Sequence, residues 1–431
     1  MLGNLHPLFG LIPLILYIIL AFKEVQPVLS VFICVLVGAV LIQQPLLGLG
    51  GIIAEALGSF LSLIGLIIML GSGLGAVLRR TGVADNLVHL VMHKIGVNTE
   101  KKAILATMVT SVLLVSLLGT LAGANAILAP IVIPLVAAVG ITPSTLAAIF
   151  QGAGQSGLFL GPFTPPMVTL MELTGLSYPQ VLLSAGLPVS LICWVVTYFM
   201  ALRIQRATKG VYKYEEEDMQ RGEAYVASPA TQRGTLAFAL TLAALLVYGM
   251  VTKGGASYAV VVMFTTAITT GLASGLKLGE VFDAMMEGCG RLVWLFIMFV
   301  LFEPLHNFVE QSGAIAALVE LLTPIINSGG KLVFALFTTL TGVFGISGAA
   351  VAQAVLMDKM FNPFLTQLGV PMGLWAAILL IGSQMTSFAY PGADMLGQMG
   401  LARSKDIKSM VKLGLTIVAA TIAYVLVYSL F

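Results

Sequence analysis

At 431 residues, with 58% hydrophobic and only 9% charged side chains and a mean hydropathy of +1.03, the chain lacks the charged surface that a water-soluble protein carries. Its net charge of +2 is too mild for a nucleic-acid binder, and Cys34, Cys193 and Cys289 lie far apart with no metal or redox spacing. What remains is an all-α polytopic membrane protein with no resident cofactor.

A helix needs about 20 apolar residues to cross the hydrocarbon, and by that ruler the chain presents spans near 7–22, 25–43 and 55–78. The first run has neither the basic flank nor the small-residue cleavage site of a signal peptide, and reads as a span. VADNLVHLVMHKIG is amphipathic and too polar to span. Its His89 and His93 share a helix face, but no third ligand stands nearby to make them a metal site. An apolar run from Ala103 to Val139 is interrupted by GTLAGAN at 119–125. Its second arm has about fourteen residues, short of a crossing at ~1.5 Å per residue, which predicts a re-entrant hairpin. Two ordinary helices joined by a tight turn are the alternative. A long segment from Pro143 to Thr174 follows, broken at GPFTPPMVTLMELTG (161–175), and then a span at 180–202. The polar linker 203–233 holds six Lys or Arg, which places it in the cytoplasm.

The second half runs in the same order. Spans near 235–251, 257–275 and 291–305 precede an amphipathic piece, GAIAALVELLTPII. A hairpin at 331–366, a broken segment at 371–400 and a span at 409–430 complete it. At a constant offset Gly157 pairs with Gly382, Phe163 with Phe388, Pro166 with Pro391, Gly175 with Gly400, Leu176 with Leu401 and Gly123 with Gly348. Five crossings per half, an odd number, put the second half upside down relative to the first, giving two inverted-topology repeats. Most Lys and Arg residues then fall on one side, with Lys253 and Lys331 as exceptions, and both termini lie outside. The expected organisation is scaffold helices at 1–82, 177–309 and 403–431, and a moving domain formed by 83–176 and 310–402.

Unpaired backbone groups in lipid cost several kcal/mol each, so broken helices persist only where protein or a water-filled cavity satisfies them. The breaks must face inward, where helix N-termini favour an anion and unwound carbonyls a cation. The small and polar residues there form the candidate substrate and ion site. In the first half these are Thr120, Gly123, Asn125, Ser156, Thr164, Pro165, Pro166 and Thr169. In the second they are Ser347, Gln353, Ser383, Gln384, Thr386, Ser387, Pro391 and Asp394. A coupling Na⁺ is expected at Asn125 and Asp394.

GANAILAPIVIPLV, followed by GLFLGPFTPPMVTLMELTGLSYPQVLLSAGLP, resembles the ion transporter superfamily, especially its divalent-anion/sodium symporters and the large membrane subunits of tripartite periplasmic transporters. Asn125 stands where those symporters carry a Ser-Asn-Thr tip, Ile133-Pro134 follows, and Pro165-Pro166-Met167 replaces a Pro-Pro-Asn turn. In the second half Tyr390-Pro391-Gly392 occupies the turn, and the tip motif is missing. Sodium/proton antiporters and gluconate/proton symporters of the superfamily carry an acidic residue near the second break, where Asp394 stands. The resemblance implies an elevator mechanism and a homodimer in a bacterial inner or plasma membrane.

Asp394 is the strongest single candidate, because a carboxylate within a membrane is expensive; a cap for the short helix after Pro391 is the alternative. Asp358, Glu303 and Glu172 lie nearer helix ends or mouths. GISG at 345–348 matches a serine nucleophile pattern, but no histidine follows His306 to serve as its base. The chain is therefore expected to be a transporter rather than an enzyme. A small carboxylate moved with Na⁺ or H⁺ is the first expectation, and sodium/proton antiport the second.

Overall fold

The computed structural model describes residues 5–23, 25–215, 226–252, 254–345 and 350–431, and all regular structure among them is helical. A 3₁₀ turn, Pro7–Leu11, leads into α1 (Ile12–Phe22), α2 (Pro27–Ile42), α3 (Leu46–Ala56), α4 (Phe60–Arg80) and α5 (Val83–Ile95). Then come α6 (Glu100–Leu118), α7 (Leu121–Ala137), α8 (Pro143–Leu158), α9 (Pro165–Thr174) and α10 (Tyr178–Thr208), which contains a π-helical stretch at Leu182–Gly186. The second half comprises α11 (Pro229–Thr252), α12 (Tyr258–Ala273), α13 (Leu278–Gly290), α14 (Val293–Gln311) and α15 (Ala314–Val343), which breaks at Gly330 with φ 60°. It ends with α16 (Ala350–Phe361), α17 (Pro363–Leu368), α18 (Met372–Gln384), α19 (Thr386–Ala389), α20 (Ala393–Leu401) and α21 (Ile407–Tyr428).

Six described helices, α4, α6, α10, α11, α14 and α21, are long and apolar enough to cross a membrane. Their outward faces agree. Leu183, Leu187, Leu191, Val195 and Phe199 recur every fourth residue along α10 and are exposed, a stripe that water would not tolerate and that a bilayer covers.

Two short helices, α3 and α13, escape the hydropathy ruler because neither is long enough to span. They correspond: each precedes the long helix of its half, α4 or α14. Each also packs across the molecule, α13 on α4 and α3 on α14. The element order thus repeats with two members more than expected. The first hairpin is formed by α6 and α7. Its second arm has 17 residues rather than about fourteen, because Leu121–Asn125 already belongs to the helix. Thr120 begins that helix by accepting a hydrogen bond from the Gly123 amide. At 17 residues, about 26 Å, α7 still falls short of the ~30 Å hydrocarbon and is not among the six helices long enough to cross, whereas α6 is.

Two helices are enclosed almost completely. Every residue of α8 from Pro143 to Gly157 is buried, as is every residue of α18 from Leu374 to Gln384. They hold corresponding places in the two halves, and the paired glycines explain how each sits so deep. A Cβ on Gly157 would stand 2.6 Å from the Val112 carbonyl of α6. Gly382 of α18 lies against Gly342 of α15, where a Cβ added to Gly342 would meet the Gly382 Cα at 2.7 Å. The paired prolines differ in detail. Pro165 and Pro166 occupy the first turn of α9, where a missing N–H costs nothing, whereas Pro391 precedes the Gly392 cap of α20. Gly175 ends α9 in the left-handed region with φ 67°, but Gly400 is helical and Arg403, with φ 57°, takes that role. The Gly123–Gly348 pair cannot be compared, since Gly348 lies outside the described residues.

Long-range polar contacts fix the ends of the central helices. Gln205 of α10 donates to the Gly140 carbonyl at 2.7 Å, and its Oε1 accepts from the Thr145 hydroxyl at 2.9 Å and the Thr142 amide at 3.0 Å. In the linker, the buried Tyr214 donates to the Ala402 carbonyl at 3.1 Å, and burial pushes its phenol up, against the opposing pull of Arg403.

Candidate functional site

A helix buried on all sides must find partners inside the protein for every polar side chain. α8 carries two glutamines one turn apart, Gln151 and Gln155, both aimed at the second half. Gln151 Nε2 donates to the Ser387 carbonyl at 3.0 Å, and Gln155 Nε2 donates to Gln384 Oε1 at 3.2 Å. Both acceptors lie where α18 gives way to α19. The break is thereby filled by protein: Ser387 Oγ returns to the Gln384 carbonyl at 2.8 Å, and Thr386 Oγ1 to the Ser383 carbonyl at 3.1 Å.

Asn125 lies beside this seam with no exposed surface. Its Oδ1 accepts from Ser111 of α6 at 2.7 Å; its Nδ2 donates to the Phe150 carbonyl of α8 at 3.1 Å and to Gln398 Oε1 of α20 at 2.8 Å. One amide therefore ties the first hairpin to the broken segment of the opposite half. The packing is reciprocal, since α20 lies on α7 while α9 lies on α16. Asp394 is half-buried in the first turn of α20, on the same face as Gln398 four residues on.

The structure thus brings Asn125, Gln384, Ser387 and the helix of Asp394 together. Ser383 and Thr386 lie in the same break, and the remaining expected site residues go elsewhere. Thr164 Oγ1 donates to the Leu158 and Gly161 carbonyls at 2.5 and 2.7 Å, and Tyr178 caps the Leu160 carbonyl at 2.6 Å, so the first break has carbonyls already engaged by protein donors. Thr169 and Ser156 donate within their own segments. Gln353 straps the second hairpin to α18, donating to the Gly342 and Gly382 carbonyls at 2.6 and 2.7 Å. Ser347 lies outside the described residues. Glu172 is exposed, and Asp358 accepts from Trp375 Nε1 at 2.8 Å and Asn362 at 3.1 Å. Attention to the breaks alone passed over Gln151, Gln155, Gln398 and Ser111. The available signal was two glutamines in the otherwise small and apolar run AAIFQGAGQSGL.

Thr120 and Gly123 line a separate cleft of about 40 Å³, room for a few waters. Gly71, Ser72, Gly75 and Ala76 of α4 form one wall, and Leu118, Ile127, Arg79 and Arg291 complete the lining. Arg291 and Arg79 share Glu287 Oε1 at 2.7 and 3.8 Å. All three are well exposed, so these pairs add little stability, but one carboxylate leaves the two guanidinium groups with a net positive charge beside the N-terminus of α7. On α5, burial pushes the Asp85 carboxyl up against the opposing charges of His89 and Arg79, and pulls His89 down against that of Asp85.

Residues 10–177, less than half of the chain, match the sequence model of the Na⁺/H⁺ antiporter family. No curated protein matches the chain at a significant level. Among solved structures, the fold is similar to that of Neisseria gonorrhoeae MtrF, described as illuminating a class of antimetabolite efflux pumps, with a TM-score of 0.63 and 17% identity over 99% of this chain and 96% of that one. It is also similar to the YdaH transporter of Alcanivorax borkumensis, described as having an unusual topology, with a TM-score of 0.56 and 17% identity over 88% and 87% of the two chains. At such identities the likeness is one of fold. Both kinds of match are to transport proteins.

Proposed function

We propose that this multi-pass membrane protein is a cation-coupled secondary active transporter that exchanges Na⁺ for H⁺ across a cell membrane. The observation that carries the reading is the Asn125–Gln398 hydrogen bond, which joins the first hairpin to the broken segment of the opposite half in a buried seam, with Asp394 one turn away on the same helix. The family match over residues 10–177 includes α7, α8 and α9 and supports the same chemistry. In this reading Asp394 carries the proton or faces the Na⁺, and the seam supplies oxygen ligands. The reciprocal packing of α7 with α20 and of α9 with α16 supports an inverted repeat and alternating access by an elevator motion of 83–176 with 310–402. A homodimer formed through the scaffold helices completes the proposal.

The Arg79–Arg291 cleft favours a second reading, in which a small organic anion moves with the cation. Two guanidinium groups beside a helix N-terminus suit a carboxylate. An efflux substrate of the antimetabolite class described for MtrF would fall within that reading.

Flux into proteoliposomes under imposed Na⁺ or H⁺ gradients separates the two. Exchange of Na⁺ for H⁺ without any organic solute is expected. Cation movement that starts only when an organic acid is added would replace antiport with the second reading.

Orientation has its own test. With the linker cytoplasmic, a cysteine at the exposed Val226 is expected to be shielded from an impermeant thiol reagent in right-side-out vesicles, and one at the exposed Thr252 to react. The background would lack Cys34, Cys193 and Cys289, all of which are buried. Reversed labelling would invert the orientation.

A further inference from the structure

The seam between α8 and α18–α19 leaves an imbalance that the packing does not resolve. Gln151 is fully buried and Gln155 is 3% exposed, and each uses its amide nitrogen on the opposite half. Their carbonyl oxygens, Gln151 Oε1 and Gln155 Oε1, are buried without a hydrogen-bond partner. An orphaned buried acceptor forfeits the hydration it had in the unfolded chain, so two on adjacent turns of one helix form an unfavourable pair unless something engages both. Residues four apart on a helix lie about 5–6 Å apart at Cβ and point along the same face, so two flexible amides can converge on one small ligand.

Two acceptors of the same kind can be bridged by the two O–H groups of one water or by a cation, and further oxygen donors beside them favour the cation. Amide carbonyls are hard, neutral oxygen donors, the type that replaces the hydration shell of a monovalent cation. Further oxygens stand beside them. Gln384 Oε1 and the Ser387 carbonyl each accept one hydrogen bond from these glutamines and keep a second lone pair.

We infer that Gln151 and Gln155, with Gln384 and the Ser387 carbonyl across the break, form a Na⁺ site that draws its oxygens from both halves of the chain. The inference rests on the cation coupling proposed above and assigns its ligands to α8 and the α18–α19 break. Asn125 then serves as the strut beside the site, because both of its amide protons and one lone pair are already engaged.

The test is cation-dependent thermal stability of the purified full-length protein in detergent, titrated with NaCl, LiCl, KCl or choline chloride at constant ionic strength. A ligand that binds only the folded protein raises Tm in proportion to its occupancy. Na⁺ is expected to raise Tm saturably and choline not at all. Gln151→Met and Gln155→Met keep the bulk but remove an oxygen, and each is expected to weaken the apparent Na⁺ affinity at least ~10-fold. Gln155→Glu keeps the oxygen, exchanges the amide nitrogen for a second oxygen, adds a charge and is expected to tighten Na⁺ binding, which keeps the test decisive if a Met variant does not fold. Equal shifts in Na⁺ and choline, or unchanged Na⁺ affinity in the folded variants, would overturn the site. If Na⁺ binds and the variants lose it while wild-type proteoliposomes show no exchange, the site stands and antiport falls. Normal Na⁺-dependent exchange in the variants would do the reverse.

Discussion

Asp394→Asn is expected to abolish driven exchange while leaving the protein folded. Asp394 sits in the first turn of α20, where the helix dipole favours its negative charge by about 0.3–1 kcal/mol. Asparagine is nearly isosteric and starts helices well, so thermal stability should fall by no more than about that amount. Transport is a different matter, because Asn cannot take up or release a proton. If Asp394 carries the coupled proton, pH-driven Na⁺ uptake should drop at least ~100-fold, the order by which a positioned proton carrier acts. Na⁺ exchange at equal concentrations can persist, since it needs no net proton movement. Uptake at the wild-type rate in Asp394→Asn proteoliposomes would reduce the residue to a helix-start charge and shift the search to the α8 seam.

Asn125→Ala is expected to give the largest loss of stability. The amide joins Ser111 of α6, the Phe150 carbonyl of α8 and Gln398 of α20, all in the interior. Alanine would orphan the Ser111 hydroxyl and Gln398 Oε1 at about 1–3 kcal/mol each and remove the second bond of the Phe150 carbonyl, which α8 already engages, so the net cost should be ~2–5 kcal/mol. Part of that cost belongs to the pair and can be isolated. Gln398→Met removes the partner while keeping its volume, so the double variant with Asn125→Ala should be more stable than the sum of the single changes predicts, by ~1 kcal/mol or more. Unfolding in detergent of the two single variants and the double variant would measure this. Strict additivity would mean that the bond between the halves contributes nothing, and the reading built on it would lose its main support.

The contrast between these two residues shows what could be read from the chain. Asp394 was visible in the sequence because hydropathy and cost select it: one carboxylate follows a proline break in an apolar run. Asn125 was visible by its place at a hairpin tip, yet the sequence could not show that its hydrogen bonds are already taken. Gln151 and Gln155 were passed over for a related reason. They lie within a helix rather than at a break, and only the packing of α8 shows that the helix has no surface where a glutamine could reach water or lipid headgroups.

By itself the sequence determined the membrane class, five of the six described long helices, the two breaks and the order of elements that recurs in the halves, because each depends on local composition and on spacing along one chain, while the expected spans at 7–22, 25–43 and 257–275 form helices too short to count among the six. It missed α3 and α13, since short helices fall below the length at which crossing a bilayer leaves a signal. The tertiary structure decided which polar groups meet. The Asn125–Gln398 bond spans 273 residues of sequence and that between Gln151 and Ser387 spans 236, separations at which no periodicity of a single chain carries information. It also decided which carbonyls near the breaks are already capped by hydroxyls, and that two close approaches, Gly157 against the Val112 carbonyl of α6 and Gly382 against Gly342 of α15, enclose α8 and α18. Burial is a property of the whole packed molecule, and so is the cost of the orphaned oxygens on α8 that only burial creates.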